Sequence, residues 1–297
     1  MHNIERLRVF HAVARLESFT KAADFLHLTQ SGVSQHVKAM EREFDVQFFE
    51  RMGKKVALTE AGEILYEAAR EVIGSVASAE QQIQELAGLA RGRLRVGASF
   101  PIGLYVLPRV LAAYRKEYPA IEVTLAIATT ASIEAKVLDN KVDFGLVSAD
   151  VHHPKLLSFA FMSDELVVII PPGHQWANRR NIKAQELADE TFIVAAPGAG
   201  ARAVVEERLK AKGIALTNLL DFVNAEGVKH AVEAGLGVSI QPRIIVQREI
   251  EAGTLTALRL ADMDSEIRYV SIARKRQNPT NSQKTFSKML MDMVSPA

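Results

Sequence analysis

The chain of 297 residues contains no cysteine, which excludes disulfides, thiolate zinc sites and a cysteine nucleophile together and fits a reducing compartment. It also lacks a charge imbalance. The net charge is +1, and Met1 to Glu60 holds nine Lys or Arg against eight Asp or Glu, so charge alone argues for no nucleic-acid partner and a motif has to carry that argument. Long apolar runs are missing as well. The longest, Leu166 to Ile170, ends in two prolines, and the opening MHNIERLRVF puts charges where a signal peptide needs an apolar stretch. The expectation is a soluble cytoplasmic protein with no membrane contact. Enzyme signatures are absent too: Gly97-Ala98-Ser99-Phe100-Pro101 is not a GxSxG elbow, the Gly198 and Gly235 regions lack GxGxxG, and the eight histidines form no HExxH pair. His152 and His153 adjoin and cannot share a helix face. No catalysis, metal or cofactor is expected. What is present, 48% apolar and 24% charged residues, suits a globular protein of two or three compact units.

The most informative stretch runs from Ser18 to Thr59. TKAADFL has helical composition, with Ser18 as its N-cap and two adjacent alanines small enough to let another helix approach. His27 and Leu28 interrupt it, and Thr29 can cap a second helix by accepting from the N–H of Gly32 or a neighbour. There Val33, Val37 and Met40 repeat at helical spacing, while Gln30, Ser31, Ser34, Gln35 and Lys38 lie opposite. One face packs and the other can bond to base edges and phosphates in a major groove. Upstream, Ile4, Leu7, Val9, Phe10 and Val13 predict a first amphipathic helix that closes a small core with Ala23, Leu26 and Val33.

Downstream, Phe48-Phe49, a turn at Gly53 and Val56-Ala57-Leu58 predict a hairpin wing. Arg51, Lys54 and Lys55 sit about its tip, where cations meet phosphates or a narrow minor groove; the plainer alternative is a solvated basic turn. From Thr59 the positions Leu65, Ala69, Val72, Val76, Ala79, Ile83 and Leu86 form a heptad seam. That seam suits a linker helix pairing two copies, or packing on the chain's own C-terminal part. Paired heads would read a two-fold related site with half-sites about one helical turn, or a multiple of it, apart. Gly88 to Gly92 ends the helix, and beyond Arg91 strands and helices alternate in a largely parallel arrangement.

The order AADFLHLTQSGVSQHVKAMEREFDVQFFER, then VALTEAGEILY, is similar to the winged helix-turn-helix of LysR-type transcriptional regulators. The likeness continues through VGASFPIGLYVLPRVLAAYRKEYP, DNKVDFGLVS, PGAGARAVVEERLKAKGI and VEAGLGVSIQPR, and so covers essentially the whole chain. The resemblance implies an α+β multidomain protein: a winged helix-turn-helix at 1–60, a dimerising linker helix at 61–90, and at 91–297 a two-lobed α/β effector domain resembling type 2 periplasmic binding proteins. Lobe I would comprise about 91–161 and 266–297 and lobe II about 162–265, with crossovers near Phe161 and Ser265. Implied partners are double-stranded DNA, a small-molecule effector, a second copy through the linker helix, a homotetramer, and RNA polymerase if the protein activates.

Ligands of open α/β sheets collect where strands end and helices begin. Ser99 and Phe100 after the first strand, Thr129 and Thr130 after the second, Gly200 and Arg202 at a glycine-rich helix start, and Asn224 before another helix are the candidate effector contacts. Each hydroxyl or amide is equally suited to plain capping. Together they predict an interlobe pocket for a small anionic or polar metabolite, and by resemblance Ser99 and Thr130 match positions that contact effectors. Two departures stand out. Gly198-Ala199-Gly200-Ala201-Arg202 replaces a hydroxyl-bearing GSGTR, which removes two donors, and Gln35 stands where many relatives carry arginine, which favours adenine or phosphate bonding over guanine. Glu226 would disfavour an anion close by. The rival functions are a DNA-binding protein whose lobes only assemble oligomers, and an enzyme on the α/β lobes.

Overall fold

A computed structural model of the chain describes residues 4–52, 55–86, 92–148, 151–196, 200–275 and 278–294. It divides into two compact units, Met1–Ala87 and Gly88–Ala297.

In the first unit α1 (Ile4–Leu16), α2 (Phe19–Leu26) and α3 (Gln30–Phe44) are followed by an antiparallel hairpin of β1 (Phe49–Met52) and β2 (Lys55–Leu58), then by the long α4 (Glu60–Leu86). Ser18 caps α2 by accepting from Lys21 N–H at 3.3 Å, and Thr29 caps α3 by accepting from Gly32 N–H at 3.1 Å. His27, in left-handed conformation at φ 56°, makes the turn between them. Val9, Val13, Ala22, Ala23, Val33 and Val37 form one buried cluster; Phe10, Met40, Phe48 and Ala69 form another. Each larger side chain so enclosed contributes about 2 kcal/mol. The first turn of α4 lies close on the hairpin, since a Cβ added to Gly62 would sit 2.1 Å from the Phe48 carbonyl oxygen. The seam on α4 divides: Leu65 and Ala69 pack into the head's own core, whereas Val72 and Ile83 are exposed. The turn at Gly53, Lys54 and the helix end at Gly88 lie outside the described residues, as do the side chains of Arg51, Lys55 and Leu86.

The second unit begins with β3 (Arg93–Ser99), a π-helical turn (Ile102–Val106) running into α5 (Leu107–Glu117), β4 (Glu122–Ala128), α6 (Thr130–Leu138) and β5 (Phe144–Ser148). Then follow β6 (Leu156–Ile170), β7 (Asn181–Ile182), β8 (Phe192–Ala195), α7 (Gly200–Ala211), β9 (Leu219–Phe222), α8 (Ala225–Glu233), β10 (Ser239–Pro242), α9 (Arg243–Ala252), β11 (Thr256–Leu260), β12 (Glu266–Arg274) and α10 (Asn281–Val294). The main sheet runs β4-β3-β5-β12-β6-β11-β7, with β10 also on β6, and β8-β9 form a separate parallel pair. The sheet is mixed rather than largely parallel: β3 runs parallel to β4 and β5, but β6 and β12 pair antiparallel to each other and to their neighbours. The position near Phe161 where a crossover is expected falls inside β6. There β6 runs unbroken for 15 residues. It pairs antiparallel with β12 along that strand's whole length, and the register shifts at Tyr269/Val270. Asp164 and Glu165 lie in this strand pair; Asp164 Oδ2 accepts from Ile244 N–H at 3.0 Å, and Glu165 meets Arg243 and Arg259, each at 3.0 Å. Burial, offset in part by those donors, raises the Asp164 carboxyl above its ordinary value.

Candidate nucleic-acid interface and ligand cavity

Each face of α3 follows from its sequence period. Val33, Val37 and Met40 are buried, while Thr29, Gln30, Ser31, Gln35 and Lys38 are exposed and Ser34 is half-buried. The polar face is internally organised: Thr29 and Ser31 share a hydroxyl bond of 3.1 Å, and Gln30 Nε2 donates to Ser34 Oγ at 3.1 Å. These bonds hold short donors and acceptors at the N-terminal end of a helix whose back is fixed to a core, the arrangement a major-groove reader requires. A cation–π contact of 4.5 Å lays Arg15 on exposed Phe25, on the neighbouring α2.

In the second unit a cavity of about 610 Å³ opens where β3, β4, β8 and β9 end, within the usual range for small-molecule sites. Ser99, Phe100, Thr129, Thr130, Arg202 and Asn224 all line it. Gly200 opens α7, but the loop before it, with Gly198 and Ala199, lies outside the described residues. Three helices start around the cavity: α6, α7 and α8. Thr129 accepts from Ser132 N–H at 3.3 Å and Asn224 from Gly227 N–H at 2.9 Å, so both side chains act as caps. The first N–H groups of each helix have no intrahelical acceptor, and the dipole favours negative charge there. Ser99 is buried and bonded to Ser148 Oγ at 2.9 Å, and Thr130 Oγ1 reaches the Ser148 carbonyl at 3.4 Å.

Arg202 lines the cavity with its guanidinium engaged by the protein's own acceptors. Its guanidinium donates to Glu206 Oε1 at 2.6 Å, to Asp221 Oδ1 at 2.7 Å and to the Ala195 carbonyl at 2.6 Å. It stands in the wall with its charge already matched. The Glu206 partner, four residues on, was legible as a helical pair; Asp221, on β9, was not.

A polar network joined across distant parts of the chain, which no local pattern discloses, also borders the cavity through Tyr105 and Glu226. Tyr105, on the π-helical turn, donates its hydroxyl to Glu226 on α8. Lys229 is buried beneath, its Nζ 3.0 Å from Glu226 and 2.7 Å from Glu249, and 5.4 Å from the centre of the Tyr105 ring. Burial and then the Glu226 bond push the Tyr105 phenol up to about 12. Burial opposes the charges of Glu226 and Lys229, but their mutual hydrogen bonds and those to Tyr105 and Glu249 prevail, lowering the carboxyl and raising the ammonium. Among the described residues no three His, Asp or Glu side chains gather to hold a metal, and no helix is long and apolar enough to cross a membrane.

Comparison with known proteins agrees with this architecture. Residues 4–63 match the family model described as a bacterial regulatory helix-turn-helix protein of the lysR family, and residues 87–295 match the LysR substrate binding domain. The chain is 33% identical over 282 residues, 94% of its own length and 93% of the relative's, to the RuBisCO operon transcriptional regulator of Allochromatium vinosum. A full-length OxyR variant of Pseudomonas aeruginosa superposes with a TM-score of 0.75 at 24% identity, covering 99% of this chain and 95% of that one. The regulatory domain of CcmR from Synechocystis PCC6803, solved in complex with 2-PG, superposes with a TM-score of 0.63 at 25% identity over 69% of this chain and 98% of that one. The chain therefore belongs to the LysR family of ligand-responsive transcriptional regulators, with a DNA-binding helix-turn-helix at its N-terminus and an effector-binding domain behind it.

Proposed function

We propose that residues 1–60 read a two-fold related operator, that 61–90 join two copies through α4, and that 91–297 bind the effector between lobes formed by about 91–161 with 266–297 and by about 162–265. The observation that carries this reading is the division of α3, with a buried Val33-Val37-Met40 back and an exposed polar front. Thr29, Gln30, Ser31, Ser34, Gln35 and Lys38 enter the major groove, while Arg51, Lys54 and Lys55 meet the backbone beside it. Exposed Val72 and Ile83 on α4 supply the seam between copies. Dimers pair into a homotetramer, the protein works in the cytoplasm without enzymatic turnover, and RNA polymerase is the further partner where it activates.

The effector lies in the 610 Å³ cavity, against Ser99, Phe100, Thr129, Thr130, Gly200, Arg202 and Asn224. Its binding changes lobe closure and so the spacing of the two heads, which requires different affinities for the two closure states. The three helix starts support a head group that is polar or anionic. Mobility-shift titration on fragments of the source genome tests the reading. Selected fragments should bind with affinity falling steeply as salt rises; affinity indifferent to sequence and to salt would refute it.

A further inference from the structure

In the cavity wall β10 carries Ser239 and Gln241 two positions apart, so both side chains stand on one face of that strand. Both are buried, at 1% and 6% exposure. The Ser239 hydroxyl has a single hydrogen, and the Ile193 carbonyl on β8 takes it at 2.7 Å. Toward Gln241, 3.0 Å away, Ser239 Oγ can therefore only accept. That fixes the amide: Nε2 turns to the serine and Oε1 turns away from it. Gln241 Oε1 has no partner among the described residues. A buried acceptor without a donor is costly, so a ligand that brings a donor to this oxygen gains from it.

Charge narrows what that ligand can be. The ionised side chains lining the cavity are Arg202, Glu206 and Glu226. All are matched by the protein itself, Arg202 by Glu206 and Asp221, and Glu226 by Lys229 and Tyr105. A charged ligand of either sign would leave water without meeting an unmatched counter-charge. A carboxylate would also set acceptor against acceptor at Gln241 Oε1. Uncharged capacity is present on a second wall, where Ser99 and Ser148 share a 2.9 Å hydroxyl bond that uses only one of their two hydrogens. Between these polar points Phe192, Val194, Val205 and Leu209 make the walls apolar.

We propose that Gln241 Oε1 is the acceptor that sets this cavity's specificity, and that the effector is an uncharged molecule with an apolar body and a hydroxyl or amide N–H that donates to it. This rests on the reading of the cavity as the effector site, and narrows the head group from polar or anionic to polar and uncharged. Isothermal titration of the full chain with four molecules that share a ring and differ in head group, benzyl alcohol, benzamide, benzoate and benzylammonium, tests both. The two uncharged molecules should each bind at least about tenfold more tightly than either ion. Gln241→Met, similar in volume but without the acceptor, should weaken the uncharged pair about tenfold and leave the ions within about twofold. Ser239→Ala frees the amide to turn and offer Nε2, so the preference for benzamide over benzoate should shrink at least about threefold. Trp176 fluorescence during thermal unfolding shows that each variant folds; should Gln241→Met not fold, the Ser239→Ala comparison decides. Benzoate or benzylammonium binding most tightly would overturn the ligand class and leave the cavity as a binding site. An uncharged preference that these substitutions leave intact would overturn the role of Gln241. Silence from all four probes would overturn the proposal and count against the cavity as the effector site.

Discussion

Replacing Lys229 by methionine removes the cation that pairs with both Glu226 and Glu249 while keeping the volume of the aliphatic stem. Glu226 is half exposed, at 47% for its side chain, and keeps the Tyr105 hydroxyl, so water can compensate much of its loss. Glu249 cannot turn to water so easily. Its side chain is 19% exposed and its Oε2 already has no hydrogen-bond partner among the described residues. Lys229→Met therefore strands a mostly buried carboxylate, a change that costs about 3 kcal/mol, the lower part of the range for broken buried pairs because only one of the two carboxylates is enclosed. For a unit of this size that lowers Tm by about 6 to 12 °C. The chain's single tryptophan, Trp176, is buried in the same unit, so its fluorescence during thermal or urea unfolding reports the unit directly. Adding Glu249→Leu should restore at least about 2 kcal/mol, because the stranded charge is then gone. A single variant within about 1 kcal/mol of the parent, or a double variant no better than the single, would refute the assignment of Lys229 as the cation that holds these carboxylates.

Three further outcomes follow from the same geometry. Gly62→Ala should destabilise the first unit by about 2 kcal/mol or more in circular-dichroism melts, because the added methyl meets the Phe48 carbonyl oxygen. Gln35→Ala should lose about 1 to 3 kcal/mol of operator binding with an unchanged salt slope, whereas Lys38→Ala should reduce that slope by about one unit, both read by fluorescence anisotropy. Glu186, held down to about 2 by the Arg179 guanidinium and then by the Lys183 N–H, has a depressed folded-state value; its share of stability is fully present above the ordinary carboxylate range and disappears as pH falls toward 2. A carbon-detected NMR titration placing Glu186 near its ordinary value would contradict that pairing.

Local chemistry was legible in the sequence, and distant chemistry was not. The caps at Ser18, Thr29, Thr129 and Asn224 each reach an N–H three residues on, so residue type and spacing disclosed them. The buried face of α3 was legible for the same reason: Val33, Val37 and Met40 repeat with the helix. The full length of β6 was hidden because Asp164-Glu165 interrupts its apolar pattern. Those carboxylates belong inside the strand, since they answer Ile244 N–H, Arg243 and Arg259 from elements about 80 to 95 positions away. The same applies to Arg202, whose partner Asp221 lies 19 positions on, and to Tyr105, whose partner Glu226 lies 121 positions on. The π-helical turn that aims Tyr105 also escaped notice. Gly103 is needed there because a Cβ would come within 2.8 Å of Ile127, a crowding no local pattern reveals.

Hydroxyl-radical footprinting of the full chain on a selected operator fragment, beside Gln35→Ala as a control, tests most directly whether the exposed face of α3 enters DNA as one of a symmetric pair. Two protected half-sites should appear on one side of the duplex, separated by about one helical turn or a multiple of it, and both should fade together in Gln35→Ala. A single unsymmetric footprint, or protection that Gln35→Ala leaves intact, would contradict it.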